Sequence, residues 1–224
     1  MDQIELINHL SQFVTDERFD KLQKTSFNRT RHIAVVLEDL FQSHNASAVL
    51  RSCDCFGIQN INVIENINEY NINNDVSMGA EKWLDIKHYN KIDYKNNTVD
   101  CIYDLKQKGY KIVATTPHKN DFNLEEFPVD QKIALMFGTE LNGLSDTAIE
   151  MADYYLQIPM YGFAESFNIS VSAALCLHDL THRIRKSNVK WQLPENERCE
   201  LLINWLKLTI NKSELIVDEF LKNK

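Results

Sequence analysis

Three short stretches of this sequence carry residues whose types and spacing could do chemistry. The first is His44-Asn45-Ala46-Ser47-Ala48-Val49-Leu50-Arg51-Ser52. Asn45 is placed to cap the free amides of a helix starting there. Arg51, six positions on, could fork onto a carboxylate or phosphate if its long side chain reaches back toward the same end. A plain helix cap and a surface ion-pair residue account for the same residues. The second stretch is Phe137-Gly138-Thr139-Glu140-Leu141-Asn142-Gly143-Leu144-Ser145, where two glycines bracket an acid. Glycine there permits positive φ or the close approach of a ligand to the backbone; the competing reading is an ordinary turn with Ser145 capping the next helix. The third runs from Ile158-Pro159-Met160-Tyr161-Gly162 through Ser166-Phe167-Asn168 to Ser172-Ala173-Ala174. Ser166 or Asn168 starts a helix rich in small residues, and either could be no more than its N-cap. Neither G-x-x-x-x-G-K-[ST] nor a G-x-G-x-x-G after the first strand occurs, so the common nucleotide grips are not offered.

The elements that must position these stretches follow from hydrophobic pattern. Apolar runs at 32–37, 61–64, 111–114, 132–137 and 154–158 have the composition of buried strands. Helical patterns at 45–56, 99–108, 145–151 and 168–185 alternate with them, and Gly57 and Gly109 punctuate two of the helix ends. Strands alternating with helices predict an α/β domain with a mostly parallel sheet covered on both faces, and each candidate stretch begins just past a strand, where ligands bind in open sheets. Residues 2–25 read as one or two short helices. Pro194 opens a final amphipathic helix with Leu201, Leu202, Trp205, Leu206 and Ile210. The Asn-rich stretch 65–75 reads as a loop or irregular crossing. The expected organisation is a helical extension over 1–30, a main domain over 31–186 and a helical extension over 187–224.

The 224 residues are 44% hydrophobic and 25% charged, with 6 Gly and 4 Pro, which excludes collagen-like and wholly disordered chains. No apolar run reaches 18 residues and the first residues lack an export pattern, so a cytoplasmic protein is expected. Five scattered cysteines without C-x-x-C predict free thiols and no structural metal. A net charge of −8 argues against indiscriminate nucleic-acid binding and confines any RNA site to a local patch.

Taken together, the order and spacing of the three stretches resemble the signature motifs of the SpoU/TrmH-type RNA 2′-O-ribose methyltransferases of the SPOUT superfamily. These are N-x-x-A-x-x-R-S followed by F-G, F-G-x-E-x-x-G-L-S, and I-P-M-x-G-x-x-x-S-x-N-x-S-x-[AS]-A. The match runs from about residue 32 to 180. Val36-Leu37-Glu38-Asp39, the segment Gly79-Ala80-Glu81-Lys82-Trp83-Leu84 and Trp205-Leu206-Lys207 are most similar to the members that act on guanosine 18 of tRNA. Phe167 stands where Leu is commoner, Ser172 where Ala is, and Thr116 follows Ala114-Thr115 where the family often differs.

The resemblance implies a parallel sheet whose C-terminal part is threaded into a deep trefoil knot, a homodimer formed through that knot, and S-adenosylmethionine as cofactor. It assigns cofactor contacts to Thr115, Gly138, Ile158, Met160 and Phe167, and catalysis to Arg51, Asn45, Glu140, Ser166 and Asn168. Asn45 and Glu140 are expected to hold Arg51 and the substrate backbone. A guanidinium is a poor base, so Arg51 is read as binding a phosphate beside the target ribose and stabilising the alkoxide, with a transiently neutral Arg51 as the competing version. The expected activity is 2′-O-methylation of a ribose in tRNA, at guanosine 18 in the D-loop; methylation of ribosomal RNA or another tRNA position, and a non-catalytic knotted RNA-binding protein, stand as alternatives. Candidate phosphate grips are Lys21, Lys24, Arg29 and Arg31, then Arg183, Arg185, Lys186 and Lys190, with His44 beside Asn45; each run reads equally as a solvated helix face. No membrane and no metal partner is expected.

Overall fold

The computed structural model describes residues 3–91, 96–119 and 121–222, so the outermost two residues of each expected extension lie outside the described residues. In chain order the elements are α1 (Gln3–Ser11), α2 (Asp16–Ser26), β1 (Thr30–Glu38), α3 (Ser43–Phe56), β2 (Ile58–Ile64), α4 (Asn74–Ser77), β3 (Asp85–Tyr89), α5 (Asn97–Gln107), β4 (Lys111–Thr115), β5 (Phe122–Asn123), β6 (Ile133–Phe137), α6 (Asp146–Met151), β7 (Tyr154–Gln157), α7 (Ile169–Lys186), α8 (Glu195–Thr209) and α9 (Ser213–Lys222). They divide into two compact units, residues 31–191 and residues 1–30 with 192–224.

In the larger unit seven strands form one sheet in the order β3-β2-β1-β6-β4-β7-β5, and the recorded registers are parallel. Side chains of alternate residues serve two cores. Ile33, Val35 and Leu37 pack with α3 and α7 through Val49, Leu50, Cys53, Ala173, Leu177 and Leu180. Ala34 and Val36 face the other way, with Cys101, Ile102 and Leu105 of α5 and Ala148 of α6. A strand buried on both faces must be apolar throughout, which is why β1 and β6 stand out in the sequence. β3 does not: it is an edge strand with Asp85, Lys87 and His88 exposed, and no apolar run announces it.

Strand order fixes where a ligand can sit. The chain leaves β1 for β2 on one side, while β6 lies on the other, which makes the carboxyl ends of β1 and β6 a topological switch point. Leu37 pairs with Phe137 at those ends, so Glu38 and Gly138 emerge side by side. The 18 residues of α7 span about 27 Å at 1.5 Å per residue and run back along the sheet. Its last turn is therefore at the amino ends of the strands, where Arg185 donates to the carbonyl of Phe56 at 2.8 Å, just ahead of β2.

The smaller unit is helical. α1 packs on α8 and α9, and α2 packs on α8, around Leu6, Leu10, Leu22, Leu202, Trp205 and Leu206. The final amphipathic stretch is two helices, α8 and α9.

Candidate active site

The residues that meet at the switch point come from all three candidate stretches. β1 gives way to Asp39 at φ 52°, and α3 begins after Gln42, an extended residue that makes no side-chain cap. Asn45 sits in the first turn of α3, buried, and its amide does not cap the helix. It reaches across the crevice instead. Nδ2 donates to Glu140 Oε1 at 2.6 Å and to Gln42 Oε1 at 3.0 Å, and Oδ1 accepts from Asn168 Nδ2 at 3.1 Å. Asn168 also does what a cap does. Its Oδ1 accepts the backbone N–H of Ser170 at 2.9 Å and the Ser170 hydroxyl at 2.6 Å, starting α7. One polar chain thus joins Glu140, Asn45, Asn168 and Ser170 across more than a hundred residues of sequence.

Glu140 is held by a tight turn. Thr139 and Gly143 exchange backbone bonds at 2.9 and 3.0 Å, Asn142 N–H donates to Thr139 Oγ1 at 3.1 Å, and Gly143 takes φ +69°. Gly138 lies so close under this turn that a Cβ there would overlap the backbone of Gly143 and Leu144. The close approach expected at Gly138 is made by its own turn, and Gly138 is not among the residues lining the neighbouring cleft.

That cleft opens past β4 and β7, with a volume of about 70 Å³. It is lined by Thr115, Thr116 and Pro117, by Leu156, Ile158 and Met160, and by Ser166, Phe167 and Ser172 at the start of α7. Four of the five expected cofactor positions, Thr115, Ile158, Met160 and Phe167, therefore share one cavity with Ser166. Leu156, Ile158, Met160 and Phe167 give it apolar walls, and hydroxyls and backbone edge them. That lining suits a flat heteroaromatic group carrying a polar tail.

Arg51 departs from expectation. At 100° and 1.5 Å per residue, six positions place it about 240° around α3 and about 9 Å along it from Asn45. Asn45 and Glu140 hold each other, not Arg51. Arg51 is exposed and, among the described residues, makes no hydrogen bond or ion pair. His44 is exposed at the start of the same helix.

The basic candidates separate sharply. Arg29 is 1% exposed with its guanidinium 5.2 Å from the ring centroid of Trp205, so it is a packing group and not an RNA grip. Arg31 donates to Asn60 Oδ1 at 3.0 Å and to Asp85 Oδ2 at 2.7 Å, at the amino ends of the strands and away from the polar chain. Arg183 is spent on Asp179 and on the carbonyls of Phe127 and Leu124. Arg185 lies over Trp191, and burial lowers its pKa. Lys21, Lys24, Lys186 and Lys190 are exposed; Lys24 lies 3.7 Å from Asp20.

Two acids were not singled out from the sequence as site residues. Glu38 is buried and bonds Ser145 and Thr98. Asp39 Oδ1 accepts the N–H groups of Asn66, Ile67 and Asn68 at 2.7, 2.8 and 3.3 Å, folding the Asn-rich loop around itself. The signal was there: two consecutive carboxylates ending an apolar strand. Among the described residues no group of three or more His, Cys, Asp or Glu side chains could hold a metal, and no helix is long and apolar enough to cross a membrane.

The chain is similar to several known proteins. The tRNA (guanosine(18)-2′-O)-methyltransferase of Borreliella burgdorferi is 38% identical over 215 residues, covering 96% of either chain. The crystal structure of the Aquifex aeolicus TrmH/SpoU tRNA modifying enzyme superposes with a TM-score of 0.77 at 28% identity, over 88% of this chain and 98% of that one. The SpoU methyltransferase AviRb from Streptomyces viridochromogenes, solved in complex with the cofactor AdoMet, shares the fold at a TM-score of 0.59 and 23% identity, over 71% and 60% of the two chains. The family model of the SpoU rRNA methylases matches residues 32–178, which hold the polar chain and the cleft; the chain belongs to the SpoU rRNA Methylase family.

Proposed function

We propose that this protein transfers a methyl group from S-adenosylmethionine to the 2′-oxygen of a ribose in tRNA, at guanosine 18. The observation that carries the reading is the side-chain chain Glu140–Asn45–Asn168, drawn from three separate motifs and formed beside the cleft of Thr115, Ile158, Met160 and Phe167. The 38% identity to a relative named for that reaction supports the choice of substrate.

S-adenosylmethionine, when bound, supplies an electrophilic methyl on a sulfonium. The cleft residues fit it: Ile158, Met160, Leu156 and Phe167 offer apolar walls for an adenine, and Ser166 and Ser172 offer hydroxyls to its polar end. Holding two reactants in line supplies much of the rate in such a transfer. Asn45, with its amide locked by Glu140 and Asn168, fixes the polar frame beside the cleft. Glu140 keeps a second carboxylate oxygen for the RNA or for Arg51 once RNA is in place. Arg51, whose side chain has no partner among the described residues, is available to a phosphate and to the negative charge that grows on the ribose oxygen. A base role would need a guanidinium stripped of water, and Arg51 is exposed. Lys21, Lys24, Lys186 and Lys190 remain as grips on the tRNA backbone.

The reading includes a homodimer and the knotted chain path expected from the motifs. Val171 and Leu175 are 44% and 38% exposed on α7, with Phe167 43% exposed just ahead, an apolar stripe suited to a second copy. Protein incubated with unmodified tRNA and methyl-labelled S-adenosylmethionine should label one ribose, at guanosine 18. Label on a base, or on ribosomal RNA alone, overturns the assignment, and light scattering checks the dimer.

A further inference from the structure

Glu38 ends a strand that is apolar from Ile33 to Leu37, and its carboxylate is buried. Burying a carboxylate is costly unless its oxygens are hydrogen-bonded. Here both are. Oε2 accepts the Ser145 backbone N–H at 2.8 Å; Oε1 accepts the Ser145 hydroxyl at 2.8 Å and the Thr98 hydroxyl at 2.6 Å. Ser145 Oγ in turn accepts the N–H of Ala148 at 3.1 Å, starting α6. Thr98 Oγ1 accepts Asn66 Nδ2 at 2.9 Å, and the same amide lies 3.3 Å from Asp39 Oδ2. Glu38, Thr98, Asn66 and Asp39 are therefore linked in a row by hydrogen bonds, its two ends being consecutive residues of the chain. Glu140 sits within residues 138–145, a segment whose near end is fixed by the Thr139–Gly143 pair and whose far end is fixed by Glu38.

We propose that Glu38 is a positioning residue for methyl transfer: through Ser145 it holds Glu140 within hydrogen-bond distance of Asn45, touching neither reactant. The proposal rests on the reading of the reaction given above. Among the described residues Glu38 is the one side chain that grips both the backbone and the hydroxyl of Ser145.

Glu38→Gln keeps the size but only one acceptor, so its NH2 must face either the Ser145 N–H, which cannot accept, or the two hydroxyls that donate to Glu38. kcat should fall about tenfold, since small misplacements of reacting groups are costly in rate. KM for S-adenosylmethionine should stay as it is. In a Glu140→Gln background the same change should lower kcat no further, because the device acts through Glu140. A general structural weakening would instead lower kcat by the same factor in both backgrounds, and that result, or an unchanged kcat, overturns the proposal. Ser145→Ala removes one hydroxyl from an exposed residue, keeps the backbone bond, and should show the same pattern in weaker form even where Glu38→Gln folds poorly. A readout free of activity is the Asn45 side-chain amide signal by NMR, assigned by its loss in Asn45→Asp. It should move in Glu38→Gln and not in Lys186→Ala; a stationary signal sinks the proposal. Failure of the wild-type protein to methylate tRNA would remove the reading of the reaction, while the amide signal still decides the positioning role.

Discussion

At the amino ends of the strands, Arg31 donates to Asn60 and Asp85, Tyr110 donates to the Arg31 carbonyl at 2.6 Å, and Gln59 bridges the Trp83 carbonyl and Asp85. At the carboxyl ends, an equally connected chain runs from Glu140 through Asn45 to Asn168 beside an open cleft, yet Arg51, further along α3, has no side-chain partner among the described residues. Both ends join segments remote in sequence through side-chain amides and carboxylates. They differ in what happens to the cation. The first end neutralises its arginine with a carboxylate; the second fixes its amides and leaves its arginine to solvent. A site is marked here less by polar residues than by a rigid polar frame with one strong donor left over.

The contrast breaks most directly by deleting each arginine. Arg51→Ala should lower kcat/KM for tRNA by about 100- to 1,000-fold, the size of effect seen when one donor to a developing oxyanion is lost. Its melting temperature should not move, because the Arg51 side chain makes no hydrogen bond or ion pair among the described residues. Arg31→Ala should do the reverse, leaving methylation intact and costing about 1 kcal/mol, which is roughly 2–4 °C in a chain of this size. Parallel methylation assays and thermal melts check the pair. If Arg31→Ala slows methylation as much as Arg51→Ala, the division between the two ends is wrong.

Asn168 does both jobs, so it sharpens the comparison. Asn168→Ala should lose the α7 cap, worth about 1 kcal/mol, and the bond to Asn45, with kcat down about tenfold or more. Asn168→Ser restores a capping oxygen but is too short to reach Asn45. Its melting temperature should recover and its kcat should not. Recovery of both in the serine variant would reduce Asn168 to a helix cap.

Much of this was legible in the sequence, and the remainder was hidden for physical reasons. β1, β4 and β6 were visible because strands covered on both faces have no choice but Val, Ile, Leu and Ala. β3 was not, since an exposed edge strand can carry charge, and the Phe-Asn pair of β5 is too short to show a pattern. The three functional stretches could be located from residue types alone, but not the choice of partner within them. Asn45 reads as a cap until the fold brings Glu140 within 2.6 Å. Arg29 looked like one cation in a basic run, and only packing against Trp205 distinguishes it from Lys21 and Lys24. Glu38 was masked by its neighbours, because an acid after five apolar residues normally marks a strand's exit into water.

The smallest expected effect concerns pH, and it belongs to the amino ends alone. His32 is buried at the start of β1, with Nε2 3.0 Å from the Val129 carbonyl. Burial lowers its pKa below the ordinary 6.5, outweighing the opposing pull of the Val129 hydrogen bond. The neutral ring donates its Nε2 proton to that carbonyl. In the unfolded chain His32 regains its ordinary pKa, so as pH falls through about 6.5 the unfolded state takes up a proton before the folded state does. Stability should therefore be full above that pH and decline as the solution is acidified toward the lowered folded value, below which this residue adds no further slope. Thermal melts between pH 7.5 and 5.5 should show the decline in the wild type. His32→Gln, whose amide can still donate to Val129 but cannot take up a proton, should flatten it. Parallel curves for the two proteins would assign the acid sensitivity elsewhere, whereas a flattened curve with unchanged methylation at neutral pH would keep the amino ends and the carboxyl ends of the sheet as separate devices.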